Sequence, residues 1–202
     1  DAFQIPDTFS QICAVDFGWG HPFAFVHLAH DRFKDIMYVI NAWKIEREMP
    51  SQHCTRIHDS LPDLDWVPIA WPHDGLQTQK NGEKTIEMYR AHHVNMMQNS
   101  ARFHDDTGGR QSPEEQVADI QQRMAFDRIK VFRSNHKWFE EKRRYHRKDG
   151  KIVAIDDDIL KATFYGSMML RHAISKSEMK MHRAMKNKQV MEYDPLDNFI
   201  NR

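Results

Sequence analysis

The sequence predicts an α/β fold: a mixed β-sheet flanked by helices, with an extra β-hairpin beside its last acidic cluster. Three observations carry this. Residues 12–17, 23–30 and 36–45 are consecutive apolar runs, rich in β-branched and aromatic side chains and joined by polar or glycine-containing connections. After Pro50 the apolar period lengthens to that of a helix, and at 67–71 a short apolar run returns, the pattern of a parallel crossover. Near the C-terminal end Asp149-Gly150 lies between two extended runs, a strong hairpin signal.

The first run ends Val15-Asp16-Phe17-Gly18, so a buried strand delivers one carboxylate, Asp16, into a turn. An acid closing an apolar strand is costly if buried alone, so Asp16 is expected to face a cation or water. A second strand starts at Phe23, and a polar connection from His30 to Asp35 leads into the third, where Met37-Tyr38-Val39-Ile40 has the weight of a central strand. Pro50 suits a first helical position, with Cys54, Ile57 and Leu61 following at i, i+3 and i+7 until Pro62 stops the helix. Asp74 falls just past the C-terminal edge of the strand at 67–71, where open α/β sheets place their chemistry.

A second helix over 83–93 and a short strand over 94–97 come next, then a loop over 103–111 containing Gly108-Gly109. Ser112-Pro113-Glu114-Glu115 reads as a capping box opening a helix through about Phe126. A short strand over 129–132 precedes an amphipathic helix over 135–145, with Trp138 and Phe139 inward and Lys142, Arg143 and Arg144 largely outward. The hairpin spans 145–155, and a last strong helix runs over 157–174. Beyond Ser175 the chain is Met-rich and aperiodic. The expected organisation is a linker over 1–11, one domain over 12–174 and a basic flexible tail over 175–202.

At 202 residues the chain can bury a core of its own. Its 29 Lys and Arg balance 29 Asp and Glu, so no global charge points to nucleic acid. Local charge does. Between Asp127 and Lys151 there are 10 basic and 4 acidic residues, and between Arg171 and Val190 6 against 1. Two cysteines, Cys13 and Cys54, give neither a disulfide framework nor a zinc pattern. No run approaches the roughly 20 apolar residues of a membrane span, so no membrane partner is expected. The chain does not start with Met, and its opening residues are linker-like, as in a piece of a longer protein.

Three acidic positions, far apart in sequence and each at the end of an element, fit a hard divalent metal site. They are Asp16, Asp74 and the Asp156-Asp157-Asp158 cluster. Two-metal phosphodiester hydrolysis needs carboxylates converging on two cations about 3.5–4 Å apart, and oxygen ligands suit Mg2+ or Mn2+. Asp16 would bridge, Asp74 would hold one ion, and Asp157 or Asp158 the other. Taken singly, Asp16 and Asp74 also suit turns, and Asp156 to Asp158 a helix cap; their joint placement singles them out. Of the histidines, His73 beside Asp74 could touch substrate, whereas His53, His58, His92 and His93 have poor spacing for a metal and read as surface or core-edge residues.

The stretches Val15-Asp16-Phe17-Gly18-Trp19 with His21-Pro22, Trp71-Pro72-His73-Asp74-Gly75-Leu76-Gln77, Trp138-Phe139-Glu140-Glu141, Tyr145 to Val153, and Asp157-Asp158-Ile159-Leu160-Lys161-Ala162-Thr163 come in unbroken order over residues 12–173. Together they resemble the nuclease domain of the large terminase subunit of tailed bacteriophages. The resemblance implies an RNase H-like fold and a metal-dependent endonuclease that cuts concatemeric viral DNA during packaging, in the cytoplasm of the infected host. By position it carries the metal-binding acids onto Asp16, Asp74 and Asp157 or Asp158. It also implies partners: double-stranded DNA, the terminase ATPase domain, the small terminase subunit and the portal. Gly20 departs from the more polar residue expected before His21-Pro22. No Walker-type glycine-rich loop occurs, so the ATPase motor is expected to lie outside this chain. DNA phosphates are expected to meet Arg143, Arg144, Arg147, Lys148 and Lys151, with little base readout.

Other readings share some of these features. A junction resolvase or transposase would use the same fold and acids. A DNA- or portal-docking module without catalysis would use only the basic hairpin and tail, which leaves three acids without a purpose. An actin-like ATPase would need a second phosphate loop, which 8 glycines do not supply.

Overall fold

A computed structural model describes residues 2–18, 20–80, 82–103, 112–153 and 155–192, apart from the side chains of 182 and 186–192. Its centre is a mixed sheet. Strands β1 (Ser10–Asp16), β2 (Phe23–Asp31) and β3 (Ile36–Ile45) form an antiparallel meander, and β4 (Ile69–Ala70) adds in parallel to β1. β5 (Ile129–Val131) lies parallel to β3, giving the order β4-β1-β2-β3-β5. The strand expected over 94–97 contributes a single parallel bridge, Ile69 to Met96. The helices are α1 (Pro50–Ser60), α2 (Thr85–Ala91), α3 (Pro113–Ala125), α4 (His136–Arg144), α5 (Asp158–Met168) and α6 (Lys176–Glu192). The hairpin strands β6 (His146–Lys148) and β7 (Lys151–Val153) form a separate two-stranded sheet, turning at Asp149 (φ 49°) and Gly150 (φ 75°). Positive φ at both turn positions matches the twist of a two-residue hairpin.

Side chains of a strand alternate between faces, and this alternation sorts the core into two halves. Ile12, Ala14, Ala24, Val26 and Leu28 pack with Ile159, Leu160 and Ala162 of α5, and with Val117 and Ile120 of α3. Cys13, Val15, Phe23 and Phe25 pack on the other face with Cys54 and Ile57 of α1 and Ile86 and Tyr89 of α2. Asp16 continues the Ile12–Ala14 series and so faces α5.

One irregularity matters. Opposite β2, His27 pairs with Asn41 and Leu28 with Val39, so Ile40 is an extra residue, a β-bulge. It inverts the facing of β3. Before it, the odd-numbered Met37 and Val39 point to the α5 side; after it, Ala42 does, while Trp43 and Ile45 join the opposite half.

Several element expectations are corrected. Residues 10 and 11, assigned to the leading linker, already belong to β1, and Phe3 and Phe9 pack on Tyr38. The last helix is shorter than 157–174: it ends at Met168, and a 3-10 turn, Leu170–His172, follows. Ser112 occupies the N-cap of α3, but its side chain makes no capping bond, and Pro113 brings no amide to cap. The chain from Ser175 to Glu192 is not aperiodic, and the rest of the expected tail, 193–202, lies outside the described residues. β8 (Ile174–Ser175) pairs antiparallel with β1, and α6 follows. The signal for α6 is Ser175-Lys176-Ser177-Glu178: Ser175 Oγ accepts the Glu178 N–H at 3.1 Å, and Glu178 Oε2 accepts the Ser175 N–H at 2.6 Å. This is a reciprocal capping box. The loop expected over 103–111 lies, after Phe103, outside the described residues.

Candidate metal centre

The carboxylates meet at the C-terminal end of β1. Asp16 is its last residue and is only 4% exposed. Asp74 stands in a 3-10 turn, His73–Leu76, just beyond β4. That turn sits hard against the end of β1, since a Cβ on Gly75 would fall 2.7 Å from both the Phe17 and Trp71 rings. Asp157 is the N-cap of α5 and Asp158 its first residue, and both are buried. Parallel placement of β4 beside β1, and of α5 over the face that Asp16 shares, brings all four acids to one end of the sheet.

His21, in the turn after β1, joins them. Its Nδ1 lies 3.4 Å from Asp158 Oδ1, and ligand atoms of Asp16, His21 and Asp158 all lie within 4.8 Å of one another. Asp74 is outside that trio but close enough for its charge to act on Asp16. Asp16 Oδ2 and Asp74 Oδ1 are buried without a hydrogen-bond partner. Burial drives the Asp16 pKa up from 3.8 to about 8; the Lys161 charge opposes this, while those of Asp74, Asp158 and Asp157 add to it. Burial likewise raises Asp74, against the pull of His21 and His73. Two partnerless carboxylate oxygens in a crowd of acids form a donor set suited to a hard divalent cation and costly without one.

Two lysines temper the charge. Lys161 Nζ, one turn into α5, lies 3.1 Å from Asp157 Oδ1. Lys44 Nζ reaches from β3 to Asp158 Oδ2 at 2.9 Å and Glu141 Oε1 of α4 at 2.7 Å. Burial works against the Lys44 charge, but these two carboxylates outweigh it and raise its pKa.

The sequence did not single out His21, Lys44, Glu141 or Lys161. Glu141 had a usable signal, since it falls three residues after Trp138 on the inward face of α4. Lys44 had none, because its facing depends on the bulge. His53, expected at the surface or core edge, is buried: it stacks on Phe23 at 4.1 Å and shares a 2.9 Å hydrogen bond with the Tyr89 hydroxyl. Burial lowers its pKa to about 4, so it stays neutral in the core.

The basic residues are exposed and flank this end of the domain. Arg143 and Arg144 close α4, while Arg147, Lys148 and Lys151 lie on the hairpin. Arg144 pairs with Asp156 at 2.9 Å, tying α4 to the turn that precedes the two acids. Arg147 pairs with Glu114 at the start of α3 and donates to the Gly150 carbonyl at 3.2 Å. Two of the five expected phosphate ligands are thus engaged with acids within the domain.

The terminase RNaseH-like domain model matches residues 13–170. The large terminase subunit of Salmonella phage P22 is 38% identical over 173 residues, which is 85% of this chain and 34% of that protein. The chain therefore spans about a third of the length of the curated relatives it matches. The solved nuclease domain of the P22 large terminase superposes with a TM-score of 0.77 at 37% identity, covering 87% of this chain and 89% of that one. The nuclease domain of the bacteriophage SPP1 large terminase, solved with bound manganese, is 15% identical and superposes at 0.60, covering 81% of this chain and 86% of that one, a likeness of fold. The sheet order, the α5 packing and the match over most of the domain agree: this chain has the RNase H-like fold and belongs to the terminase RNaseH-like domain family.

Proposed function

We propose that this domain is a metal-dependent DNA endonuclease of a viral packaging terminase, cutting concatemeric double-stranded DNA with little sequence specificity. The observation that carries the reading is the convergence of Asp16, Asp74, Asp157 and Asp158 at one sheet end, with partnerless carboxylate oxygens on the first two. Asp16, Asp74, Asp157 and Asp158 would hold two divalent ions, Mg2+ or Mn2+, with His21 at the edge of the set. The chemistry such ions supply is activation of an attacking water and stabilisation of the leaving oxygen.

The chain's own residues prepare the rest. Asp16, ending a strand buried along its whole length, fixes the middle of the site. Lys161 and Lys44 hold Asp157 and Asp158 in defined orientations. Arg143, Arg144, Arg147, Lys148 and Lys151 would grip the DNA backbone beside the site, Arg147 exchanging Glu114 for a phosphate. The proposed partners beyond DNA are a terminase ATPase domain, the small subunit and the portal, in the cytoplasm of an infected bacterium. No helix among the described residues is long and apolar enough to cross a membrane.

Plasmid digestion tests this directly. Cleavage is expected with Mg2+ or Mn2+, with no discrete fragment pattern, and none with chelator. Undiminished cutting in chelator, or none with either ion, defeats the proposal. Cutting confined to branched junctions would favour a resolvase instead.

Phosphate-based binding makes a second prediction. In Ca2+, which should block cutting, Lys148→Ala with Lys151→Ala is expected to weaken duplex binding equally for unrelated sequences. It should also reduce the slope of log affinity against log salt by about 2. An unchanged salt slope in filter or anisotropy titrations would remove these lysines from the DNA interface.

A further inference from the structure

Helix α5 begins in an unusual way. Its N-cap is Asp157, a residue type that ordinarily turns its carboxylate back onto the helix's free amides. Here Asp157 makes no such bond, and its carboxylate points instead to Lys161. The amide it would have capped, that of Leu160, donates at 3.0 Å to Glu141 Oε2, from a different helix. Glu141 is 1% exposed. Its other oxygen, Oε1, meets Lys44 Nζ at 2.7 Å, and the same ammonium holds Asp158 Oδ2 at 2.9 Å. Asp158 Oδ1 is left on the side of His21.

We propose that Glu141 and Lys44 form a positioning pair that sets the first turn of α5, with Glu141 capping the helix so that Asp157 is released toward the metal centre and Lys44 holding one oxygen of Asp158 so that the other faces it. The inference rests on the metal-site reading above. Two structural facts and one energetic argument support it. The register Asp16–Ala24–Lys44 runs straight across the sheet, so Lys44 starts from the row that carries the central acid. The bulge at Ile40 is what turns Lys44 rather than Trp43 to that face, and bulges recur beside active sites, where they re-aim side chains. A buried ion pair is also a poor source of stability, because desolvation offsets its attraction and an apolar pair of similar shape often serves as well. Folding alone does not call for charges here; orienting two acids does.

The test is Mn2+ binding to the protein without DNA, read as the loss of the free-ion EPR signal, for wild type, Lys44→Met, Glu141→Gln and the double variant. Glu141→Gln keeps an acceptor for the Leu160 amide, and the double variant leaves no unpaired charge at position 141, although Asp158 loses its lysine there as it does in Lys44→Met. Lys44→Met is expected to bind Mn2+ about 10- to 100-fold more weakly, the usual cost of losing a group that orients a ligand, and Glu141→Gln, which keeps the cap but loses the anion beside Lys44, is expected to be weakened by a smaller factor. The double variant should be less impaired than the product of the two, because the residues act as a unit. Lys44→Met decides the matter by sign. Removing a nearby positive charge would by field alone tighten Mn2+ binding, whereas losing the orientation of Asp158 loosens it. Wild-type or tighter binding by Lys44→Met overturns the proposal, as does lowered melting with unchanged affinity in all variants. Should Lys44→Met not fold, the double variant is read by the same criteria. Wild-type protein that binds no Mn2+ would remove the metal centre itself, a result distinct from equal binding by wild type and variants.

Discussion

Asp16→Asn is expected to bring DNA cleavage down to background while making the metal-free protein more stable. Both effects come from one placement. Asp16 ends a strand whose other residues are buried, its Oδ2 has no partner, and three other carboxylates act on it. Its pKa moves from 3.8 to about 8, chiefly through burial. Between those values the folded protein holds a proton on Asp16 that the unfolded chain releases. Unfolding then loses a proton, so the stability of the metal-free wild type should fall as pH rises from about 4 to about 8 and level off above. Asp74, also raised, adds a slope of the same sign.

Asn cannot ionise, so at neutral pH the variant should gain on the order of 2 kcal/mol, roughly 5 °C in melting temperature for a chain of this size. Its pH slope should flatten but not vanish. Thermal melts in chelator from pH 4 to 9, beside plasmid cleavage in Mg2+, check both halves. A variant that cuts at the wild-type rate would remove Asp16 from the site. A variant that melts earlier than wild type at pH 8 would refute the account of its burial.

Gly18→Ala is expected to damage both fold and site. Gly18 lies hard against the backbone of His21 and Pro22, close to where Asp16 and His21 come together. A Cβ on Gly18 would lie 2.2 Å from the His21 carbonyl oxygen and 2.4 Å from that of Pro22. Both are backbone atoms, so no rotamer change relieves the contact; the turn itself must open. Overpacking of this kind costs about 1–3 kcal/mol, which should lower the melting temperature by roughly 2–10 °C. The larger effect should fall on Mn2+ affinity and cleavage, because opening the turn separates His21 from Asp16 and Asp158. Gly20→Ala is the matched control, since a Cβ there meets nothing within 4 Å. Equal melting and equal Mn2+ binding by the two variants would show that the turn has room to spare.

The amino-acid sequence by itself determined the elements with strong local patterns. The three-strand meander, the helix after Pro50, the Asp149-Gly150 hairpin and a helix opened by acids could be read because each is encoded within a dozen residues. Asp16, Asp74, Asp157 and Asp158 were legible for a related reason: each closes or opens such an element, and element ends at one edge of a sheet converge whatever the finer packing. Shorter signals were less secure. The capping box at Ser175 to Glu178 was there to be read, and the Met- and Lys-rich run behind it masked the helix that it starts.

Tertiary structure decided what serves those acids. Whether Lys44 or Trp43 faces α5 depends on one extra residue at Ile40, and a bulge is a relation between two strands that neither strand's sequence displays. That Glu141 caps α5 in place of Asp157 depends on how α4 and α5 lie against each other, through a bond between residues 19 apart in the chain. The same holds for the raised pKa of Asp16, which no local pattern sets. It arises from burial and from like charges delivered by β4 and α5. Local periodicity fixes which residues an element buries; only the packing of elements fixes which buried charges meet.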